Sequence, residues 1–146
     1  MEALVADASI AIKWVVAEEG SDTAVDLRSR FRFVAPELLI PECANTLWKK
    51  VQRGELARDE AVLAARLLER SGVELLPMGG LLEETTNLAI ELSHPAYDCA
   101  YLIVAHRTGS RFVTANTRLL RIIAERASNE IAHLCVSLSD LRNGAH

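Results

Sequence analysis

Short β-prone runs alternate with longer stretches of helical spacing along the chain, and this alternation constrains its fold more than any other feature. Strands are predicted at Leu4 to Ala6, Phe31 to Ala35, Val73 to Pro77, Arg111 to Thr114 and Ala132 to Val136, with most of the rest helical. Strands joined by helical crossovers pair in parallel, so the pattern predicts an α/β fold with a five-stranded parallel sheet covered on both faces. Gly54, Gly72, the Gly79-Gly80 pair and Gly109 fall near the ends of helical patterns, where a left-handed cap is wanted. From about Arg58 to Arg70 the pattern is that of an ordinary surface helix. Ala61, Ala64, Ala65 and Leu68 share one side, and Asp59, Arg66 and Arg70 take the other.

A chain of 146 residues, 50% apolar and 25% charged, suits one domain over residues 1–146 with a real core. The longest apolar run, ALVADASIAIKWVVA, is interrupted by Asp7 and Lys13 and preceded by Glu2. That composition fits neither a bilayer span nor a signal peptide with a basic start, and a cytoplasmic location is expected. Cys43, Cys99 and Cys135 are odd in number and form no C-x-x-C pair, which argues for free thiols. His94, His106, His133 and His146 form no H-E-x-x-H or similar pairing, so no histidine-based metal site is expected. The net charge of −4 lacks the basic footprint of most nucleic-acid binders. Acids gathered around a bound cation, however, add to that formal charge without repelling a phosphate.

One residue stands out in HPAYDCAYLIVA: Asp98, an acid in an otherwise apolar helix. Pro95 suits a helix start and an acid in the first turn complements exposed N–H groups, so Asp98 has an ordinary reading as well. Other acids also lie at the ends of elements. Asp7 closes the first strand in ALVADAS, either as a helix N-cap or as a site residue, with Ser9 two positions on. Glu42 follows Pro41 in PELLIPECANTLWKK, where Glu42, Asn45 and Lys49 share one side, and Ile40, Ala44, Leu47 and Val51 form the opposite, apolar stripe. In RFVTANTRLL a strand ends at Thr114, and Asn116 is suited to cap the next helix. Ligands of an open parallel sheet bind outside the carboxyl ends of the strands, where strand order reverses, and Asp7, Asp98 and Asn116 can all reach such an edge. Two carboxylates about 4 Å apart repel by roughly 4 kcal/mol at an effective dielectric near 20, so convergence calls for a cation. Hard oxygen ligands select Mg²⁺ or Mn²⁺ over zinc.

Four blocks, VADASIAIKW, PECANTL, AYDCAYLIVAHRTGSRFVTANTRLL and a final short strand, cover nearly the whole chain. In order and spacing the chain resembles the PIN-domain ribonucleases, and among them the VapC-type toxins of toxin–antitoxin pairs. The resemblance implies a three-layer α/β/α sandwich on a central parallel five-stranded sheet, an acidic Mg²⁺ or Mn²⁺ site, cleavage of RNA, a homodimer and a cognate antitoxin protein. It matches Asp7, Glu42 and Asp98 to the family's first, second and third acids, Ser9 and Thr114 to its hydroxyl residues, and Asn45 to the asparagine one turn after the second acid. Asn116 departs from a four-acid pattern: an amide oxygen can ligate a metal or hold its water, but it supplies no charge.

The implied chemistry is phosphodiester hydrolysis assisted by a metal on Asp7 and Asp98, with Glu42 bound directly or through water, leaving 5′-phosphate and 3′-hydroxyl ends. Lys13, Lys49, Lys50, Arg53 and Arg118 are the cations nearest this site in sequence, and Lys13, Lys49 and Arg118 are candidate RNA contacts. Trp14 and Trp48 could stack on bases, but each adjoins an apolar helix face, which favours core packing. The first alternative is a PIN fold that binds RNA or a partner and cleaves poorly because Asn116 leaves the site short of charge. The second, a phosphoacceptor signalling domain, expects an aspartate after the central strand and a lysine after the last; VELLPM and AHLCVSLSD offer neither.

Overall fold

In the computed structural model, which describes residues 1–144 and leaves Ala145 and His146 outside the described residues, the central strand is the first one, β1 (Ala3–Ala6). It is followed by α1 (Ala8–Ala11), α2 (Ser21–Arg30), β2 (Arg32–Pro36), α3 (Leu39–Gln52), α4 (Arg58–Glu69) and β3 (Glu74–Leu76). Then come α5 (Leu82–Leu92), α6 (Ala96–Thr108), β4 (Arg111–Thr114), α7 (Thr117–Arg126), α8 (Asn129–Ala132) and β5 (Cys135–Ser137). All strand pairs are parallel, in the order β3-β2-β1-β4-β5. Val5 thus faces Val34 on one side and Phe112 on the other.

Alternation along the strands sends side chains to two cores. Leu4, Ala6, Phe33 and Val113 pack with Ala24 and Leu27 of α2 and with Leu138 and Leu141 near the C-terminus. Val5, Val34 and Phe112 pack on the opposite face, beneath Leu47 of α3, Leu102 of α6 and Leu119 of α7. Helices therefore cover both faces, giving the expected sandwich. In α6 every residue from Cys99 to Ala105 is buried, as befits a helix that is apolar all round. It stops at Gly109, whose φ of 65° lets the Ser110 N–H turn back to the Ala105 carbonyl at 3.0 Å. That abrupt end feeds the chain directly into β4.

The first four strands lie within a residue of their predicted ends, but four other expectations need correction. The last strand is Cys135–Ser137 rather than Ala132 to Val136, because the Ser128 side chain caps a helical turn, α8, by accepting the Ile131 N–H. The inward stripe of α3, which begins two residues before Pro41, is Leu39, Cys43 and Leu47. Of the predicted stripe only Leu47 is fully buried; Val51 is partly buried, while Ile40 and Ala44 are exposed along a groove with Val73 and Leu75. Trp48 is 55% exposed, whereas Trp14 packs edge-on against Phe33 and donates its ring N–H to the Ala24 carbonyl. Gly79 and Gly80 lie ahead of α5 and end no helix.

No helix among the described residues is long and apolar enough to cross a membrane. Because Phe112 is fully buried at the contact of sheet and helices, Phe112→Ala should lower unfolding free energy by roughly 3–5 kcal/mol. Leu82→Ala, at a residue 81% exposed, should change it by less than about 0.5 kcal/mol; denaturant titration measures both.

Candidate active site

Strands β2 and β3 extend the sheet to one side of β1 while β4 and β5 extend it to the other, so strand order reverses between β1 and β4. The crevice outside their carboxyl ends is the place such a sheet offers to a ligand. A cavity of about 210 Å³ opens there, lined by Asp7, Ala8, Ser9, Glu42, Asn45, Thr46, Asp98 and Asn116. The three acids singled out from sequence thus share one cavity, together with Ser9, Asn45 and Asn116.

Asp7 leaves the end of β1 and is 6% exposed. It occupies the N-cap position of α1, but its side chain caps nothing. One carboxylate oxygen, Oδ1, accepts from the Ser9 hydroxyl at 2.5 Å, and Oδ2 accepts from the Thr114 hydroxyl at 2.7 Å. Both hydroxyl protons are thereby committed to Asp7, which makes the 3.3 Å separation of the Ser9 and Thr114 oxygens a contact rather than a hydrogen bond. Each hydroxyl also accepts a backbone N–H, Ser9 from Ala115 at 2.9 Å and Thr114 from Asn116 at 3.1 Å. Burial raises the Asp7 carboxyl from 3.8 to about 6 and the charge of Asp98 adds to the rise, while the two hydroxyls oppose it.

Glu42 lies in the first turn of α3 and is half-buried. Its Oε1 accepts from the Tyr101 hydroxyl at 2.6 Å. Burial raises its carboxyl above the ordinary range against the pull of that bond, and the charges of Asp98 and Asp7 raise it further. Asp98, in the first turn of α6, has Oδ2 2.6 Å from Nε2 of His94, one turn earlier in sequence. Asn116 is the N-cap of α7, its Oδ1 accepting the Leu119 N–H at 3.0 Å, so the capping role holds alongside the place in the cavity. Cys43 and Cys99, neighbours of two of the acids, stay protonated: burial raises them to about 12 and about 11.

No lysine or arginine among the described residues forms an ion pair with Asp7, Glu42 or Asp98. Nor, among those residues, are three His, Cys, Asp or Glu side chains drawn close enough to hold an ion as they stand. Lys13 is committed elsewhere, to Glu18 at 3.0 Å and the Glu19 carbonyl at 2.6 Å, and Lys50 to Glu18 at 2.7 Å. Lys49 and Arg118 are exposed. Sequence reasoning missed His94 and Tyr101. The i, i+4 spacing of His94 and Asp98 could have signalled the first pair; Tyr101 reaches across 59 positions to Glu42, and nothing local announces that.

An α/β protein with carboxylates gathered at the switch point of a parallel sheet is what the fold and cavity define. A family profile described as PIN domain matches residues 4–125, and the chain belongs to the PIN-domain family. It is 30% identical over 122 residues to Ribonuclease VapC3 of Pyrobaculum aerophilum, a match covering 80% of this chain and 91% of that protein. The crystal structure of PAE2754 from the same organism superposes with a TM-score of 0.70 at 24% identity, covering 97% of this chain and 92% of that one, a likeness of fold.

Because the Asp7 carboxyl stands above its ordinary value, holding it ionised lowers stability, and the sign follows from linkage. Its contribution to stability is fully present below about pH 4 and is lost as pH rises through about 6, an effect on the order of 3 kcal/mol. Asp7→Asn should therefore be more stable than the parent at pH 8 in EDTA, with the gain fading toward pH 4. Denaturant midpoints across that range measure it, and a variant less stable at pH 8 would contradict the assigned environment.

Proposed function

We propose that the chain is a ribonuclease that hydrolyses RNA phosphodiester bonds with Mg²⁺ or Mn²⁺ and serves as the toxin of a toxin–antitoxin pair. The observation that carries this reading is the sharing of one cavity by Asp7, Glu42 and Asp98, with no cationic side chain paired to Asp7 or Glu42 among the described residues. Membership of the PIN-domain family and the likeness to a protein named as a VapC ribonuclease support it. The residues fit a hard divalent ion: the donors are carboxylate and amide oxygens, and the buried Asp7 carboxylate is held by neutral hydrogen-bond donors, the Ser9 and Thr114 hydroxyls foremost. Asp7, Asp98 and Glu42 would hold the ion, with Asn116 beside them. When bound, it supplies polarisation of a phosphate oxygen and a lowered pKa for water.

The chain's own residues then have defined tasks. Ser9 and Thr114 hold both oxygens of Asp7, and the Ser9 and Thr114 oxygens in turn anchor the backbone after β4. Asn45, one turn after Glu42, lines the same cavity as a neutral donor and acceptor. Exposed Lys49 and Arg118 are the candidate phosphate contacts, whereas Lys13 would have to leave Glu18 to join them. The same reading includes a cytoplasmic homodimer, one such domain per chain, restrained by a cognate antitoxin protein. RNA incubated with the protein and Mg²⁺ or Mn²⁺ should yield 5′-phosphate and 3′-hydroxyl ends, and EDTA or Asp98→Asn should abolish cleavage. Products ending in 2′,3′-cyclic phosphate that persist in EDTA would refute the reading.

A second reading is favoured by one observation: Asn116 brings no charge, and its Oδ1 already accepts the Leu119 N–H. On this reading the chain binds RNA or a partner and cleaves poorly. Aspartate caps a helix as well as asparagine, so Asn116→Asp changes charge while keeping the cap. Under the second reading it should raise both Mn²⁺ affinity and cleavage about tenfold or more, measured by calorimetry and RNA turnover. An unchanged affinity would remove the case for a charge-limited site.

A further inference from the structure

Tyr101 is fully buried in α6, its ring stacked on Phe112 of β4 with centroids 5.9 Å apart and planes 24° from parallel. Phenylalanine would fill that volume without a polar atom, so packing does not account for the hydroxyl. Its partner does: the hydroxyl donates to Oε1 of Glu42 at 2.6 Å. Among the described residues Oε2 of Glu42 receives no hydrogen bond, so the contact ties down one oxygen and leaves the other available. Tyr101 also lies three positions after Asp98 on the same helix, a spacing that puts two side chains on one face. One rigid helix thereby carries one acid directly and grips a second, from α3, through a ring wedged against the sheet.

We propose that Tyr101 is a positioning residue: it aligns Glu42 with Asp98, and Glu42 contributes to divalent-cation binding through the orientation that the Tyr101 hydroxyl imposes. This inference rests on the metal-dependent reading above. Glutamate has three rotatable side-chain bonds, and a half-buried carboxylate released from its donor would sample several orientations. A ligand held by a preorganised partner binds its ion better than one that must first be ordered, and loss of such a partner typically lowers metal affinity about 10–100-fold.

The test compares the parent, Tyr101→Phe, Glu42→Gln and the double variant by calorimetric titration with Mn²⁺ at one pH, with near-UV circular dichroism to follow the core. Tyr101→Phe keeps the ring and leaves Oε1 on a half-buried group, so the fold should persist. The expected result is about tenfold weaker Mn²⁺ binding in Tyr101→Phe. In the Glu42→Gln background the same substitution should change affinity by less than about twofold, because the group it acts through is already gone. Unchanged affinity in Tyr101→Phe, or an equal further loss in the double variant, overturns the inference while leaving the metal site standing. Absence of Mn²⁺ binding in the parent overturns both.

Discussion

A carboxylate at the end of a central strand has to be held by donors, and the choice of donor decides what it can do. Asp7 is gripped by two hydroxyls, from Ser9 beside it and from Thr114, 107 positions away at the end of β4. An ammonium or guanidinium would have stabilised the charge more strongly and also neutralised it. Hydroxyls orient the oxygens and leave the negative charge in place, at a cost in stability set by burial. The same two side chains take backbone N–H groups from the loop after β4, so the ends of β1 and β4 are joined by side chains where the sheet ladder stops. Site geometry and sheet closure are in this sense one structure.

Among the described residues, the lysine and arginine ion pairs lie elsewhere. Lys13 and Lys50 converge on Glu18, Arg107 pairs with Glu84, and Arg111 pairs with Glu2. Among the described residues, the side chains that reach the three acids of the cavity are three hydroxyls and one imidazole: Ser9, Thr114, Tyr101 and His94. The result is a pocket in which the charge of Asp98 raises the proton affinity of Asp7 and of Glu42, and the charge of Asp7 raises that of Glu42 further. Such mutual repulsion is unfavourable for folding, and it is also the field that draws in a small hard cation.

How much of this could be read from sequence depends on the range of the interaction that fixes each feature. Strands β1, β2 and β4 were legible because a buried parallel strand is a short apolar run bounded by turns, and β3, largely exposed at the sheet edge, because its short β-prone run follows Gly72. Asp98 was legible as an anomaly, an acid in a helix whose next seven residues are buried. The last strand was misjudged because apolar residues on both sides of His133 continue from a capped helical turn into β5, and periodicity does not separate the two. The face of α3 was misjudged because apolar residues occupy two neighbouring stripes: Ile40 and Ala44 lie about 100° round the helix from Leu39 and Cys43, and it is the latter pair that packs into the core. Tyr101 was invisible for a different reason. In sequence it is another apolar residue of a buried helix, and its role depends on a partner in α3 that only the fold brings near.

Asn116 shows how stability and site chemistry compete at one position. Asparagine and aspartate are comparable N-caps, so the stability of α7 does not choose between them. The choice falls on charge. A fourth carboxylate in the cavity would push the buried Asp7 carboxyl further up and enlarge the penalty of keeping it ionised, while offering a divalent ion one more negative ligand. Asparagine leaves the helix capped and the repulsion limited to three acids, at the expense of the charge that would draw a cation in. The folded chain and the proposed metal site therefore pull residue 116 in opposite directions, and this sequence has settled on the side of the fold.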